Sequence, residues 1–287
     1  MAMTVKQLYR QVREQLKNGG IEAYAAETRF LFEGILGIDY QNILLCGEMT
    51  ASERQQQQVR EAVEKRLTGY PLQYITGTWE FYSYPFEVGE GVLIPRSDTE
   101  ALCDVALRYL NRCNCERPVV ADLCSGSGCL AVAISLKFEG AKVYAVEKYK
   151  EALYYLRRNV AINKADVRVV EGDVLEGGFL EPSEPLDLIV CNPPYLTKED
   201  MESLQKEVSY EPKSALYGDE DGLLFYRAIA EQWLCRLKPE GMLAFEIGMG
   251  QEDAVMQILE HNGYQNICTY KDVCGIIRVL TAQRPSC

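Results

Sequence analysis

Val119-Val120-Ala121-Asp122-Leu123-Cys124-Ser125-Gly126-Ser127-Gly128-Cys129-Leu130-Ala131-Val132-Ala133 decides the fold class of this chain. The stretch is typical of a buried strand, a tight turn of small residues and an apolar helix in direct succession. Gly126 and Gly128 let the backbone approach a ligand closely, and the helix that follows points N–H groups toward it. Two glycines are a weaker signal than the full dinucleotide fingerprint, whose third glycine is absent. A phosphate cradle would also need a Lys followed by Ser or Thr, and neither is present, so the turn argues against a nucleoside triphosphate as ligand. We expect a cofactor at this turn to contact Cys124, Ser125, Gly126, Ser127 and Gly128.

Acidic residues follow the next two predicted strands. The strand at 142–146 ends in Glu147, and an acid at that place is the usual partner of ribose hydroxyls. The strand at 167–170 leads into Asp173 and Val174, which we expect to accept from an adenine amino group and to pack on its ring. The alternative interpretations are a solvated helix start for Glu147 and a surface turn for Asp173.

The apolar run at 186–191 ends in Asn192-Pro193-Pro194-Tyr195. Each proline fixes its own φ and lacks an N–H, and the residue before it is pushed to extended geometry. An amide oxygen and a backbone carbonyl are thus left as acceptors beside a flat aromatic ring, an arrangement suited to a planar –NH2 group. The alternative is a proline-rich turn that only closes a buried strand.

These four features follow successive strands in order, at the carboxyl ends where open α/β sheets bind ligands. The combination resembles the class I S-adenosylmethionine-dependent methyltransferases, and within them the Asn-Pro-Pro-Tyr branch that methylates planar amide or exocyclic amino nitrogens. The resemblance implies an α/β fold with a seven-stranded, doubly wound Rossmann-like sheet whose last strand is antiparallel. It also implies S-adenosylmethionine as cofactor and S-adenosylhomocysteine as product, with Asn192 among the cofactor-binding residues.

Three regions are predicted along the chain. Residues 1–76 carry apolar side chains at helical spacing, with Thr4 as an N-cap and a capping box at Ser52 and Gln55, and predict a small helical bundle that docks a partner. Residues 77–95 predict a β-hairpin linker, and 96–287 the methyltransferase domain. A second capping box, at Ser97 and Glu100, is expected to begin the first helix of that domain.

Composition limits the partners. The 42 acidic and 30 basic residues give a net charge of −12, whereas duplex DNA binders present a dense basic face. No apolar run approaches a membrane span, and the N-terminus shows no signal-peptide core. The 11 cysteines include no Cys-x-x-Cys pair, and His261 is the single histidine. We therefore expect a cytoplasmic monomer with reduced thiols and no metal, direct nucleic-acid partner or membrane partner.

Nearly the whole chain also resembles one family, the release factor glutamine methyltransferases, which modify the glutamine of the Gly-Gly-Gln motif in class 1 release factors. The matching segments are Pro71-Leu72-Gln73-Tyr74-Ile75-Thr76-Gly77, Leu93-Ile94-Pro95-Arg96, Asp98-Thr99-Glu100, the turn at 122–128, Asn192-Pro193-Pro194-Tyr195, Tyr210-Glu211-Pro212, Glu246-Ile247-Gly248 and Asp272-Val273-Cys274-Gly275. The chain departs from the family pattern at four positions, where that family usually has other residues: Ser97, Cys124, Glu147 and Val174.

The resemblance implies a reaction and its residues. Asn192 and the Pro193 carbonyl are expected to accept the two N–H bonds of the substrate glutamine, and Tyr195 to pack on its plane. Pro194 completes the expected substrate-binding loop, and the expected catalytic residues are Asn192, Pro193 and Tyr195. The product is N5-methylglutamine in a class 1 release factor, the implied protein partner.

Two other functions are compatible with the same motifs. A DNA adenine-N6 methyltransferase would bind an adenine amino group in the same loop after base flipping, although the acidic charge argues against it. A non-catalytic binding protein could keep the fold without the activity, although the intact Asn192, Gly126 and Gly128 argue against that.

Overall fold

Residues 3–113, 115–179 and 183–286 are described by a computed structural model. The chain divides into two units: Met1–Trp79 with Gln205–Tyr210, and Glu80–Leu204 with Glu211–Cys287. Within the described residues, no helix combines the length and the apolar character needed to cross a bilayer.

The first unit is built of five helices: α1 Val5–Asn18, α2 Tyr24–Leu36, α3 Tyr40–Cys46, α4 Glu53–Leu67 and α5 Leu72–Thr76. Thr4 and Gln7 form a capping box at α1, and Ser52 and Gln55 form the predicted one at α4. Each box satisfies two backbone donors that the first helical turn leaves without partners. The apolar faces meet in one cluster around Leu16, Leu31, Phe32 and Val59, as expected for a helical bundle.

The segment Gln205–Tyr210 belongs to the same unit, although it lies far from the helices in the sequence. Arg66 of α4 is buried at 3% exposure and pairs with Glu27 and with Glu207 of this segment. The Tyr210 ring packs edge-on against Tyr70, with centroids 5.2 Å apart. Because a buried guanidinium needs compensating charge, the ion pairs fix this segment against the bundle.

A two-stranded sheet, β1 Thr78–Phe81 and β2 Tyr84–Glu87, follows the bundle. The predicted capping box after it is wrong. Ser97–Thr99 is a 3-10 turn without a side-chain cap, and helix α6, Glu100–Leu110, begins directly after it. The Glu100 carboxylate instead accepts from the Tyr82 backbone N–H of the hairpin at 2.8 Å, so it does not reach back to Ser97.

The sheet of the second unit has seven strands, as predicted. The further elements are β3 Val119–Leu123, α7 Cys129–Lys137, β4 Lys142–Glu147, α8 Lys150–Asn163, β5 Val167–Glu171, β6 Leu186–Cys191, α9 Lys198–Glu202, α10 Leu224–Trp233, β7 Leu237–Glu246, α11 Glu252–His261, β8 Gln265–Lys271 and β9 Ile277–Gln283. The spatial order is β5-β4-β3-β6-β7-β9-β8, and β9 is antiparallel to both neighbours. This confirms the predicted doubly wound sheet with an antiparallel last strand.

Strand order reverses at β3, which pairs in parallel with β4 on one side and with β6 on the other. Leu123 lies in register with Val146 of β4 and with Cys191 of β6. The turn at Cys124, the acid Glu147 and Asn192 therefore follow adjacent strands at the same edge of the sheet. That edge is the switch point at which open α/β sheets bind ligands.

Both faces of the sheet are covered. Helices α6, α7 and α8 pack over Val120 and Leu188 in one apolar cluster. Helices α10 and α11 pack over Ala121 and Ile189 in the other. Every residue of β3 and β6 is buried, as expected for central parallel strands, so the site at their ends stands on rigid backbone.

Candidate functional site

A cleft opens at the carboxyl ends of β3, β4, β5 and β6, and its empty space measures about 990 Å³ with the open mouth included. Most of the residues predicted from the sequence line it: Cys124, Ser125, Gly126, Ser127, Glu147, Asp173, Val174, Asn192 and Pro194. Gly128, Pro193 and Tyr195 lie outside the lining. The structure thus brings candidate cofactor residues from four strand ends into one cavity.

The two glycines of the turn have different surroundings. Gly126 has φ +54°, and a Cβ there would meet no heavy atom within 4 Å. Gly128 has φ +81°, and a Cβ there would lie 2.3 Å from Leu156 Cδ1 of α8. Gly126 therefore leaves space in the cleft, whereas Gly128 permits the close packing of α7 against α8.

Glu147 is buried at 6% exposure, so its alternative interpretation as a solvated helix start is wrong. Its carboxylate accepts from the Gly126 N–H at 2.9 Å and from the Lys148 and Tyr149 N–H groups at 2.8 Å each. These bonds tie the glycine turn to the tip of β4. The oxygen that binds Gly126 keeps one lone pair for a further donor, such as a ribose hydroxyl.

Asp122 also lies in the wall of the cleft, although it was not among the predicted site residues. It is buried at 1% exposure, and Oδ2 accepts from the Ala131 N–H at 3.2 Å. Oδ1 has no hydrogen-bond partner among the described residues. Burial raises the pKa of this carboxyl to about 7, with the nearby Glu147 charge adding to the effect. An acid inside the apolar run at 119–123 was the signal that could have identified it.

Asp173 and Val174 reach the cleft from the end of β5. The Asp173 carboxylate accepts from the Leu175 N–H at 3.0 Å and pairs with Lys148 Nζ at 2.6 Å. An adenine amino group at this place would share the carboxylate with Lys148. Val174 is buried at 4% exposure and presents an apolar surface to the cleft.

Asn192 is held by a residue far away in the sequence. Its Nδ2 donates to Thr99 Oγ1 at 3.1 Å, and Thr99 Oγ1 donates to Glu246 Oε2 at 2.6 Å. Thr99 and Glu246 are each buried at 2% exposure. Among the residues that the structure describes, no donor bonds to Oδ1 of Asn192, so this oxygen is the acceptor that the amide can offer to a ligand.

The loop after Asn192 is fixed through its backbone. Gln251 Nε2 donates to the Tyr195 carbonyl at 3.0 Å, and Gln251 Oε1 accepts from the Gly248 N–H at 2.9 Å. A Cβ at Gly218 would lie 2.6 Å from the Pro194 carbonyl oxygen. Burial raises the pKa of Tyr195 to about 12, so its ring remains a neutral phenol. Within the described part of the chain, no donor bonds to the Pro193 carbonyl.

The motif Leu93-Ile94-Pro95-Arg96 also contributes to the cleft, which Leu93, Pro95 and Arg96 line. Glu211, buried at 4% exposure, accepts from the Ile94 N–H at 3.0 Å and pairs with the Arg96 guanidinium. The ion pair therefore fixes the backbone that carries Arg96 at the edge of the cleft.

Two family models and several curated proteins match the sequence of this chain. The domain described as PrmC N-terminal domain matches residues 7–77, and the methyltransferase small domain matches residues 103–223. The chain is 35% identical to the release factor glutamine methyltransferase of Fusobacterium nucleatum over 94% of this chain and 76% of that protein. It is 36% identical to the release factor glutamine methyltransferase of Geobacter sulfurreducens over 96% of this chain and 95% of that protein.

A solved structure shows the same fold. The crystal structure of a methyltransferase from Pyrococcus furiosus matches with a TM-score of 0.51, covering 82% of this chain and 100% of that one at 17% identity. At that identity the likeness concerns the fold alone.

Proposed function

This chain belongs to the release factor glutamine methyltransferase family, and from that premise we propose that it methylates the side-chain amide nitrogen of the Gly-Gly-Gln glutamine in class 1 release factors. The observation that carries the proposal is Asn192, which lines the cleft with its amide nitrogen bound to Thr99 and its amide oxygen without a donor among the described residues. An acceptor fixed in this way at a switch point is suited to hold a planar –NH2 group.

A carboxamide nitrogen is a weak nucleophile because its lone pair is delocalised into the carbonyl. In the proposed reaction, Asn192 Oδ1 and the Pro193 carbonyl each accept one N–H of the substrate glutamine. Both are held on rigid backbone, so they align the nitrogen without reorganising and stabilise the positive charge that develops on it. Tyr195, kept neutral by burial, is proposed to pack on the amide plane.

The cleft fits S-adenosylmethionine, which when bound supplies a methyl group on a positively charged sulfonium. The unpartnered Oδ1 of Asp122 suits the ammonium of its amino-acid part, and Glu147 has a lone pair left for a ribose hydroxyl. The empty space at Gly126 accepts a ligand that a side chain would displace. Carboxylates in the wall favour a cationic cofactor over an anionic phosphate, in agreement with the absence of a phosphate motif.

The helical unit is proposed to dock the protein substrate. Leu44, Leu45 and Met49 are exposed at 60%, 81% and 65%, which is unusual for apolar residues so close together in sequence. Binding energy collected far from the reacting glutamine would help to place it correctly. We assign the N-terminal residues 1–76 to docking, residues 77–95 to the linker and residues 96–287 to catalysis.

The remaining assignments follow from the substrate. Class 1 release factors act in translation, so we propose a cytoplasmic enzyme that works as a monomer on a protein partner. The net charge of −12 disfavours a direct nucleic-acid substrate.

Methyl transfer from labelled S-adenosylmethionine tests the proposal. The enzyme is incubated separately with a class 1 release factor, with its variant carrying Ala in place of the Gly-Gly-Gln glutamine, and with duplex DNA. We expect label in the intact release factor alone. Label in DNA, or equal label in the Ala variant, would overturn the assignment.

A further inference from the structure

Three side chains brought together from distant parts of the sequence form a directional hydrogen-bond chain in the wall of the cleft. Asn192 Nδ2 lies 3.1 Å from Thr99 Oγ1, which lies 2.6 Å from Glu246 Oε2. A threonine hydroxyl has one proton, and an ionised carboxylate has none. While Glu246 is ionised, the hydroxyl must donate to it and can then only accept from Asn192.

That direction decides which end of the Asn192 amide faces the substrate. The nitrogen is held by Thr99, so the oxygen is the end left for an N–H donor. If the amide rotated by half a turn, it would present its own N–H groups to the N–H groups of the substrate, and no hydrogen bond could form. An asparagine cannot select its orientation by shape because the two ends have nearly the same size.

We propose that Thr99 and Glu246 are positioning residues that hold the Asn192 amide with its oxygen toward the substrate nitrogen. This inference rests on the proposed function, since it assigns Asn192 the role of acceptor. Neither residue touches the reacting atoms, and both act through Asn192.

The surroundings of Glu246 make the orientation dependent on its protonation. Burial raises the pKa of Glu246 to about 7, while the Thr99 hydrogen bond and the charge of Arg278 act in the opposite direction. Once protonated, Glu246 can donate to Thr99, whose proton is then free to turn toward Asn192 and accommodate the reversed amide. The orientation is therefore fixed above about pH 7 and lost below it.

Other titratable groups face Glu246 from the elements packed around it: Arg96 and Asp98 before α6, Cys129 of α7, Cys191 of β6, Tyr195, Tyr226 of α10 and Arg278 of β9. Burial raises the pKa of Cys129 and of Tyr195 to about 12, and that of Cys191 and Tyr226 well above their ordinary values. These four groups stay neutral throughout the range in which Glu246 titrates.

Two substitutions test the chain of hydrogen bonds at saturating cofactor. Thr99→Val keeps the volume but removes the hydroxyl, and we expect kcat to fall about 10-fold, as for loss of one positioning hydrogen bond. Thr99→Ser restores the hydroxyl and should recover most of the rate. Thr281→Val is the matched control, because Thr281 is also buried, at 4% exposure, and lies in β9 of the same sheet. Equal losses in Thr99→Val and Thr281→Val, or no loss in Thr99→Val, would overturn the proposal.

Glu246→Gln tests the proposal through the pH dependence of kcat, which the substitution would leave unchanged if Glu246 only stabilised the fold. Wild-type kcat should fall on acidification through about pH 7, whereas the Gln variant should show a reduced rate without the part of this fall that Glu246 causes. Burial also raises the pKa of Asp122 to about 7, and its contribution is the same in both proteins. The side-chain –NH2 resonances of Asn192, assigned by their absence in Asn192→Ala, should shift with pH in the wild type and stay constant in Glu246→Gln.

The resonance measurement does not require methyl transfer. If the wild type fails to methylate a release factor but the resonances behave as expected, the proposed function fails and the hydrogen-bond chain stands. If methylation occurs and the resonances ignore both pH and the Glu246→Gln change, the positioning role is wrong.

Discussion

Replacing Asp122 with Asn is expected to change two measurable properties: the pH dependence of folding stability and the affinity for S-adenosylmethionine. The side chain is buried at 1% exposure with one oxygen unpartnered, and burial raises its pKa from 3.8 to about 7. At 1.36 kcal/mol for each pKa unit, ionising this carboxyl in the empty fold costs about 4 kcal/mol. Asn has nearly the same shape, and its amide oxygen can still accept from the Ala131 N–H.

The sign of the effect follows from the direction of the shift. Because the folded pKa lies above the unfolded one, the stabilisation is complete below the unfolded value and is lost as pH rises through about 7. Between pH 5 and pH 8, the free energy of unfolding of the empty wild type should fall by about 3 kcal/mol through Asp122. The free energy of unfolding of Asp122→Asn should not show this fall. The contribution of Glu246 is present in both proteins and cancels in the comparison.

Urea denaturation of both proteins without ligand at pH 5 and pH 8 measures the stability term, and calorimetry at pH 8 measures cofactor affinity. A charge-assisted hydrogen bond contributes about 1.5–3 kcal/mol, so Asp122→Asn should bind S-adenosylmethionine about 10- to 100-fold more weakly. Unchanged affinity would remove Asp122 from the cofactor site. An unchanged difference in stability between the two pH values would refute the argument from burial.

Three further perturbations probe other parts of the site. Gly126→Val should abolish cofactor binding in calorimetry because its side chain enters the empty space. Gly128→Ala should mainly lower Tm, because its Cβ would meet α8. If Gly128→Ala abolished binding and Gly126→Val did not, the cofactor would have to lie elsewhere. Asn192→Ala should lower kcat by about 100-fold or more with little change in cofactor affinity, since a pre-placed acceptor matters most in the transition state; a wild-type rate would exclude Asn192 from the reaction. Leu45→Glu should raise KM for an intact release factor but not for a short Gly-Gly-Gln peptide, and equal effects on both substrates would contradict docking by the helical unit.

The number of strands and the antiparallel direction of the last one could be predicted, because each strand-turn-helix unit has a local sequence pattern and the family resemblance implied the doubly wound sheet. The run at 119–133 contains a strand, a turn and a helix. The right-handed crossover between parallel strands then limits how successive units of this kind can combine into a sheet. The residues that follow the strand ends, Glu147, Asp173 and Asn192, then meet in one cleft because parallel strands share an edge.

Contacts between residues far apart in the sequence could not be predicted from local sequence patterns. Thr99 meets Asn192 across 93 positions and Glu246 across 147. Glu207 joins the helical unit by pairing with Arg66, 141 positions away. A local pattern also misled at Glu100, where the spacing of a capping box was present but the hairpin took the carboxylate. Each of these contacts depends on which polar side chains lie next to one another after tertiary packing. The spacing of residues in the sequence does not give that information.

Mass spectrometry of the methylated release factor shows directly whether the enzyme modifies the Gly-Gly-Gln glutamine and whether Asn192 is needed. After reaction with S-adenosylmethionine, the peptide that contains Gly-Gly-Gln is fragmented to locate the added methyl group. We expect a single methyl on the side-chain nitrogen of that glutamine with wild-type enzyme, and about 100-fold less of it at the same reaction time with Asn192→Ala. A methyl group on any other residue, or on the same glutamine in undiminished amount with Asn192→Ala, would contradict it.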